Sequence, residues 1–258
     1  MKSNNNQCNH SLPSGRVRVG VLGAGNMGGA LIKGWQKAGV ADITITAHTQ
    51  QTLDKFEGVK KSLSNAEAVK DADVVVIAVK PWLVDDVLAE INDVLTEDKT
   101  VISVAAKTRN PRIDVYAMPN IGAEYGEGMT FIQTGAEPKA TALAEQLFGM
   151  VGKVMTVSEQ MFNAGNMLAG CGIAYVMRFI RAMMEGGVEL GLYPDDAKEI
   201  VMQTMCGAVA VLKESGLHPE QAIDKVTTPG GMTIKGLNEL DHSGFNSAVV
   251  KCLKAGLK

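Results

Sequence analysis

The feature that most constrains this chain is a glycine turn set between two different periodicities. Val17 to Leu22 is an apolar, β-branched run that ends at Gly23. Gly23-Ala24-Gly25-Asn26-Met27-Gly28 follows, and then Met27, Ala30, Leu31, Gly34, Trp35 and Ala38 recur at helical spacing. A G-x-G-x-x-G that leaves a strand and opens a helix is a dinucleotide-binding fingerprint. Gly23 permits the tight turn, Gly25 leaves the backbone bare for a pyrophosphate, and Gly28 lets helix and strand pack closely. The amides of Asn26 and Met27 fall at the positive end of the helix, where phosphate is favoured.

The alternation that begins there continues. Ile43 to Ala47 reads as a second strand, and Ser64-Asn65-Ala66-Glu67 as a capping box opening a helix. Asp73 to Val79 is a continuous apolar strand of the kind covered on both faces, stopped by Lys80-Pro81. Val84, Val87, Leu88, Ile91 and Leu95 make another helical stripe. Strands are expected at Thr100 to Val104, Asp114 to Met118, Met129 to Gln133 and Lys153 to Val157, with a helix face through Ala140, Leu143, Ala144, Leu147, Phe148 and Val151. This order predicts an α/β fold, a doubly wound, mostly parallel sheet of the Rossmann kind over residues 16–157. From 158 to 258 the periodic stretches are almost all helical. They run through Val176, Phe179, Ile180, Met183, Gly187 and Leu190, then Ala197, Ile200, Val201, Met205, Ala208, Val211 and Leu212, then Phe245, Ala248, Val249 and Cys252. Helices apolar nearly all round need cover, which a piece of this size does not supply alone, so a second subunit is expected. Residues 1–15 are polar and Asn-rich and read as a flexible tail.

Composition narrows the function classes. The 258 residues carry 25 Lys plus Arg against 28 Asp plus Glu, a net charge of −3, so no global basic field suits nucleic acid. No apolar run approaches the roughly 20 residues that cross a bilayer, so no membrane role is expected. Cys8, Cys171, Cys206 and Cys252 are far apart and form no C-x-x-C pair, which points away from metal and thiol-exchange chemistry. Free thiols without a secretory signal suggest the reducing cytoplasm.

The residue that selects the cofactor belongs about 20 positions after the glycines. There the chain reads Thr46-Ala47-His48-Thr49-Gln50, without Asp or Glu to hold two ribose hydroxyls. A 2′-phosphate is tolerated, with His48 and Thr49 as donors, so NADPH is expected and NADH is the alternative. A second turn, Thr227-Thr228-Pro229-Gly230-Gly231-Met232-Thr233, leads into a short helix, Thr233 to Glu239. Bare glycine amides, threonine hydroxyls and a helix N-terminus suit a carboxylate. A threonine-capped turn is the structural alternative.

With both turns in view the chain resembles the pyrroline-5-carboxylate reductases. The motifs that carry the resemblance occur in order: GAGNMGGALIKG, ADVVVIAVKP, VISVAA, MPN followed by GEGMT, AYVMRFIRAMMEGGVELGL, and TTPGGMTIKGL. The resemblance implies reduction of the cyclic imine 1-pyrroline-5-carboxylate to proline by hydride from NADPH or NADH, the last step of proline biosynthesis. It implies a Rossmann domain joined to a helical domain that interlocks with a second copy, and a homodimer that can build a decamer. It implies cofactor contacts at Gly23, Gly25, Asn26, Met27, Gly28, Asn65, Ala78, Val79, Lys80, Pro81, Ala105 and Asn120. It places Thr228, Gly230, Gly231 and Thr233 on the substrate carboxylate, with Thr233 as the catalytic position. A protonated imine needs no separate acid, so catalysis is chiefly positioning.

The chain also departs from that family. A SGSGPAY-like segment is replaced by Ala169-Gly170-Cys171-Gly172-Ile173-Ala174-Tyr175, Thr-Pro after MPN by Ile121-Gly122, and an arginine two places before the Met of MPN by Tyr116. A helix is missing at Lys107 to Arg112. A β-hydroxyacid dehydrogenase is disfavoured because Val154 to Ala197 contains no lysine. The remaining alternatives are a reductase of a related cyclic imine and a regulatory protein that binds cofactor without turnover.

Overall fold

The computed structural model describes residues 17–106 and 108–257; the expected tail and Cys8 lie outside them, as does Lys107. β1 (Arg18–Leu22) leads through the glycine turn into α1 (Asn26–Lys37), β2 (Asp42–Thr46), α2 (Gln50–Leu53), β3 (Lys60–Ser62) and α3 (Asn65–Lys70). β4 (Val74–Ile77), α4 (Val84–Glu90), β5 (Thr100–Ser103), β6 (Val115–Met118), β7 (Gly128–Gln133), α5 (Pro138–Gly149) and β8 (Gly152–Val157) complete the sheet region. The eight strands lie in the order β3-β2-β1-β4-β5-β6-β7-β8. All neighbours are parallel except β6 and β7.

Strand β4 shows why a run of valines is needed at the centre. Val74 and Val76 join the core beneath α1 and α5, with Leu31, Trp35 and Phe148. Val75 and Ile77 join the opposite core, with Val69 of α3 and Val84, Val87 and Leu88 of α4. Successive side chains point to opposite faces, and both faces are buried. On the first face the Trp35 indole packs edge-on against Phe148 at 5.7 Å and donates to the Leu147 carbonyl at 2.9 Å. The start of β1 is pinned by Arg18, whose guanidinium donates to Asp73 at 2.6 Å and holds that carboxyl below its ordinary range.

The rest of the chain is helical. α6 (Glu159–Gly165) passes through a π turn, Asn166–Cys171, into α7 (Gly172–Glu189). α8 (Pro194–Ser215), α9 (Pro219–Val226), α10 (Met232–His242) and α11 (Phe245–Ala255) follow. The chain divides into two compact units, one ending at Gly170 and the other covering Cys171–Lys258. This division falls inside the π turn, later than the change of sequence character at residue 158. The helix Glu159–Glu189 is also long and apolar enough, by length and composition, to cross a membrane. That corrects the expectation that no segment reaches this limit. Arg178, Arg181 and Glu185 interrupt the apolar run without interrupting the helix.

Within the second unit the helices bury little. α7 buries Gly172, α8 buries Ala197 and Val201, and α9, α10 and α11 bury nothing. Met177, Ile200, Val211, Val226 and Val250 are each about half exposed or more.

Candidate functional site

The glycine turn is built against the end of β2. Gly23 takes φ +103° and its amide donates to the Thr46 carbonyl at 3.2 Å, while Ala24 donates to the same oxygen at 2.8 Å. Buried Thr46 donates in turn to Asn65 Oδ1 at 2.7 Å, and the Asn65 amide donates to Glu90 Oε2 at 2.6 Å. A chain of hydrogen bonds thus runs from α4 through the start of α3 to the turn. A Cβ on Gly28 would lie 2.0 Å from the Gly23 carbonyl oxygen, so only glycine lets α1 start there. A Cβ on Gly25 would meet nothing within 4 Å. The space above Gly25 is therefore open, and Gly25 caps α1 without a side-chain bond to the first amides.

That space belongs to a groove of about 560 Å³ at the carboxyl ends of the strands. Of the residues expected to contact the cofactor, Gly23, Gly25, Asn26, Met27, His48, Ala78, Val79 and Lys80 line it. Ala24, Ala47, Thr52, Leu83, Val104 and Ile121, which the sequence does not mark as cofactor contacts, line it too. Thr52 carried a signal, a hydroxyl one turn beyond His48; Ile121 follows the MPN segment. The others are apolar neighbours of motif residues.

Six expected contacts lie off the wall, the first of them Gly28, packed against the Gly23 carbonyl. Thr49 spends its hydroxyl capping α2, accepting from the Thr52 amide at 3.3 Å and pairing with the Thr52 hydroxyl at 3.0 Å. Asn65 is engaged by Thr46 and Glu90. Pro81 starts a 3-10 turn, and buried Ala105 donates its amide to Ser103 Oγ at 3.3 Å. Buried Asn120 accepts from Gly122 and Met129 amides and donates to the Ala169 carbonyl at 3.1 Å. It ties the MPN segment to the π turn, where altered helix winding changes the usual backbone pairing.

Two of the altered features, Tyr116 and the connection before it, form one arrangement in the first unit. Residues 104–114 join the parallel strands β5 and β6 with no helix assigned among the described residues. The Tyr116 hydroxyl accepts from the Asn110 amide at 2.7 Å and sits 3.2 Å from the Asn110 carbonyl, to which it donates. Arg109 lies over the Tyr116 ring at 5.0 Å and pairs with Glu159. A tyrosine in place of the arginine is what fastens the shortened connection.

The second turn lies in the second unit. Thr227 closes α9, with its hydroxyl donating to the Asp224 carbonyl at 3.1 Å. Gly230 takes φ +71°, Gly231 donates to the Thr228 carbonyl at 2.9 Å, and Gly231 caps α10. The helix runs Met232–His242, longer at both ends than expected. Thr228 and Thr233 are exposed, and the bare backbone at Gly230 and Gly231 stands beside them. The Tyr175 phenol is pushed up, first by local desolvation and then by the Cys252 and Cys171 thiols. Among the described residues no group of three His, Cys, Asp or Glu side chains is placed to hold a metal.

Comparison with known proteins gives two family matches. Residues 159–258 match "Pyrroline-5-carboxylate reductase dimerisation", and residues 18–107 match "NADP oxidoreductase coenzyme F420-dependent". The pyrroline-5-carboxylate reductase of Glycine max is 34% identical, with 96% of each chain covered. Pyrroline-5-carboxylate reductase 1 of Dictyostelium discoideum is 35% identical over 90% of this chain, which spans 47% of that longer relative. The solved structure of Plasmodium falciparum pyrroline carboxylate reductase with NADP bound superposes with a TM-score of 0.85 at 27% identity, covering 93% of this chain and 95% of that one.

Proposed function

The chain belongs to the pyrroline-5-carboxylate reductase family, and on that premise we propose that it reduces the cyclic imine 1-pyrroline-5-carboxylate to proline with NADPH, the closing step of proline biosynthesis. The observation that carries the reading is the open space above Gly25, framed by uncapped α1 amides and walled by residues of the expected motifs. The residues present fit a dinucleotide phosphate. Gly23, Gly25, Asn26 and Met27 hold the pyrophosphate, and Ala78, Val79 and Lys80 flank it. Gly28, Asn65, Ala105 and Asn120 act behind the wall, keeping turn and strand ends in register.

The cofactor, when bound, supplies a hydride. The chain's part is to hold the imine carbon in reach and to keep the ring oriented. Thr228 and Thr233 hydroxyls with the Gly230 amide take the substrate carboxylate, anchoring it at the start of α10, while Gly231, its own amide held by the Thr228 carbonyl, leaves the backbone bare beside it. The imine enters protonated; hydride addition at its carbon gives the neutral amine, so no side chain has to deliver a proton in that step.

The second unit is completed by another copy of the chain. Apolar helices with almost nothing buried support this, as does the dimerisation match over residues 159–258. The dimers assemble further into a decamer in this reading. Cys171, Cys206 and Cys252 are free thiols, which supports a reducing, cytoplasmic setting.

The test is direct. Purified protein with NADPH and the imine consumes both one for one and yields proline. Cofactor binding without any turnover instead favours a regulatory protein, and turnover restricted to a different ring favours a related imine reductase.

A further inference from the structure

Around the groove the charges are few and of one kind. Of its lining residues the ionisable ones are His48, at the end of β2, and Lys80, at the end of β4; no carboxylate lines it. On the elements behind, Asp54 is engaged by the Gln50 amide at 2.8 Å and Glu90 by the Asn65 amide at 2.6 Å. In this sheet type the position after β2 reads the 2′-oxygen of the adenosine ribose, with an acid for a hydroxyl or a fixed cation for a phosphate. This chain puts neither there. It puts an imidazole, which is exposed, with the Thr52 hydroxyl beside the same groove.

Imidazole is the side chain whose charge changes between pH 5 and 8. We propose that His48 makes the choice between the phosphorylated and unphosphorylated cofactor depend on pH: charged, it pairs with the 2′-phosphate and selects NADP(H); neutral, it leaves the two cofactors nearly equivalent. This rests on the reading of the groove as the cofactor site. Lys80 flanks the pyrophosphate in this reading and serves both cofactors alike, so it cancels from their ratio.

The sign separates this from the phosphate's own titration. A phosphate monoester loses its second proton near pH 6, so without His48 the preference for the phosphorylated cofactor stays level or rises with pH. With His48 it falls. An exposed pair of opposite charges is screened by water, so the fall is about fivefold.

The experiment is calorimetric binding of NADP+ and NAD+, which differ only at the 2′-oxygen, at about pH 6 and about pH 8.5, on either side of the imidazole range. The ratio of the two dissociation constants cancels whatever pH does to the shared part of the site. In the parent the preference for NADP+ falls about fivefold across that interval. In His48→Gln it is level or rising. In His48→Arg, with a fixed charge, the preference at the higher pH is regained and the fall is gone. A parent ratio that is level or rising overturns the proposal, and so does an equal fall in His48→Gln. Failure of the parent to bind either cofactor at both pH values overturns the groove assignment itself and the proposal with it. Binding of both at a level ratio overturns the proposal alone and leaves the groove assignment standing.

Discussion

Gly25 and Gly28 stand three residues apart in one turn and answer to opposite demands. At Gly28 the missing side chain is needed by the protein, because a Cβ would overlap the Gly23 carbonyl oxygen. At Gly25 the fold makes no such demand, since a Cβ has free space there, and the proposed cofactor makes it instead. Gly25→Val should therefore keep its melting temperature within about two degrees while losing at least tenfold in cofactor affinity, the cost of displacing one well-placed contact. Gly28→Val should lower the melting temperature by several degrees, since overpacking against backbone costs at least 1–3 kcal/mol. Thermal unfolding with and without cofactor separates the two, and equal destabilisation in both would remove the ligand argument for Gly25. The threonine proposed as the substrate anchor gives a second check. A charged hydrogen bond is worth roughly 1.5–3 kcal/mol, so Thr233→Val should raise KM for the imine by about ten- to a hundredfold. Cofactor affinity should hardly change. Loss of cofactor affinity with an unchanged KM would move that turn to the other ligand.

The connection from β5 to β6 shows how two departures from a family pattern can be one. Parallel neighbours ordinarily need a crossover with a helix, and here the residues between them are held instead by the Tyr116 hydroxyl and the Arg109 contact. Tyr116→Phe keeps the ring and removes the bond to the Asn110 amide. It should cost about 1–2 kcal/mol, the price of a partly buried donor left unpaired, and lower the melting temperature by a few degrees. An unchanged melting temperature would mean that the ring alone holds the loop. The missing helix was legible in the sequence, but its coupling to Tyr116 was not, because a hydroxyl-to-backbone bond has no periodicity. The long apolar strands and α1 were legible because burial on both faces leaves them little choice of residue. β3, a polar three-residue edge strand, and α2, a single turn, offered no such pattern. The π turn was illegible too, since one extra residue in a helix does not disturb an apolar stripe enough to be seen. Thr49 was placed on the wall by spacing alone, and local capping chemistry turned its hydroxyl away.

At the scale of the whole molecule the two units differ in self-sufficiency. The first has a core on both faces of its sheet. The second exposes rows of Met, Val and Ile that soluble surfaces seldom leave uncovered. Light scattering at micromolar concentration should give at least twice the 27.3 kDa of one chain, and a lone monomer would contradict the assembly. In the reaction hydride passes from the nicotinamide to the imine carbon. The most direct measurement uses NADPH with deuterium at both C4 positions and 1-pyrroline-5-carboxylate, followed by mass and NMR analysis of the product. Proline with one deuterium at C5 is expected. Cofactor oxidation that leaves proline unlabelled, or no proline at all, would contradict it.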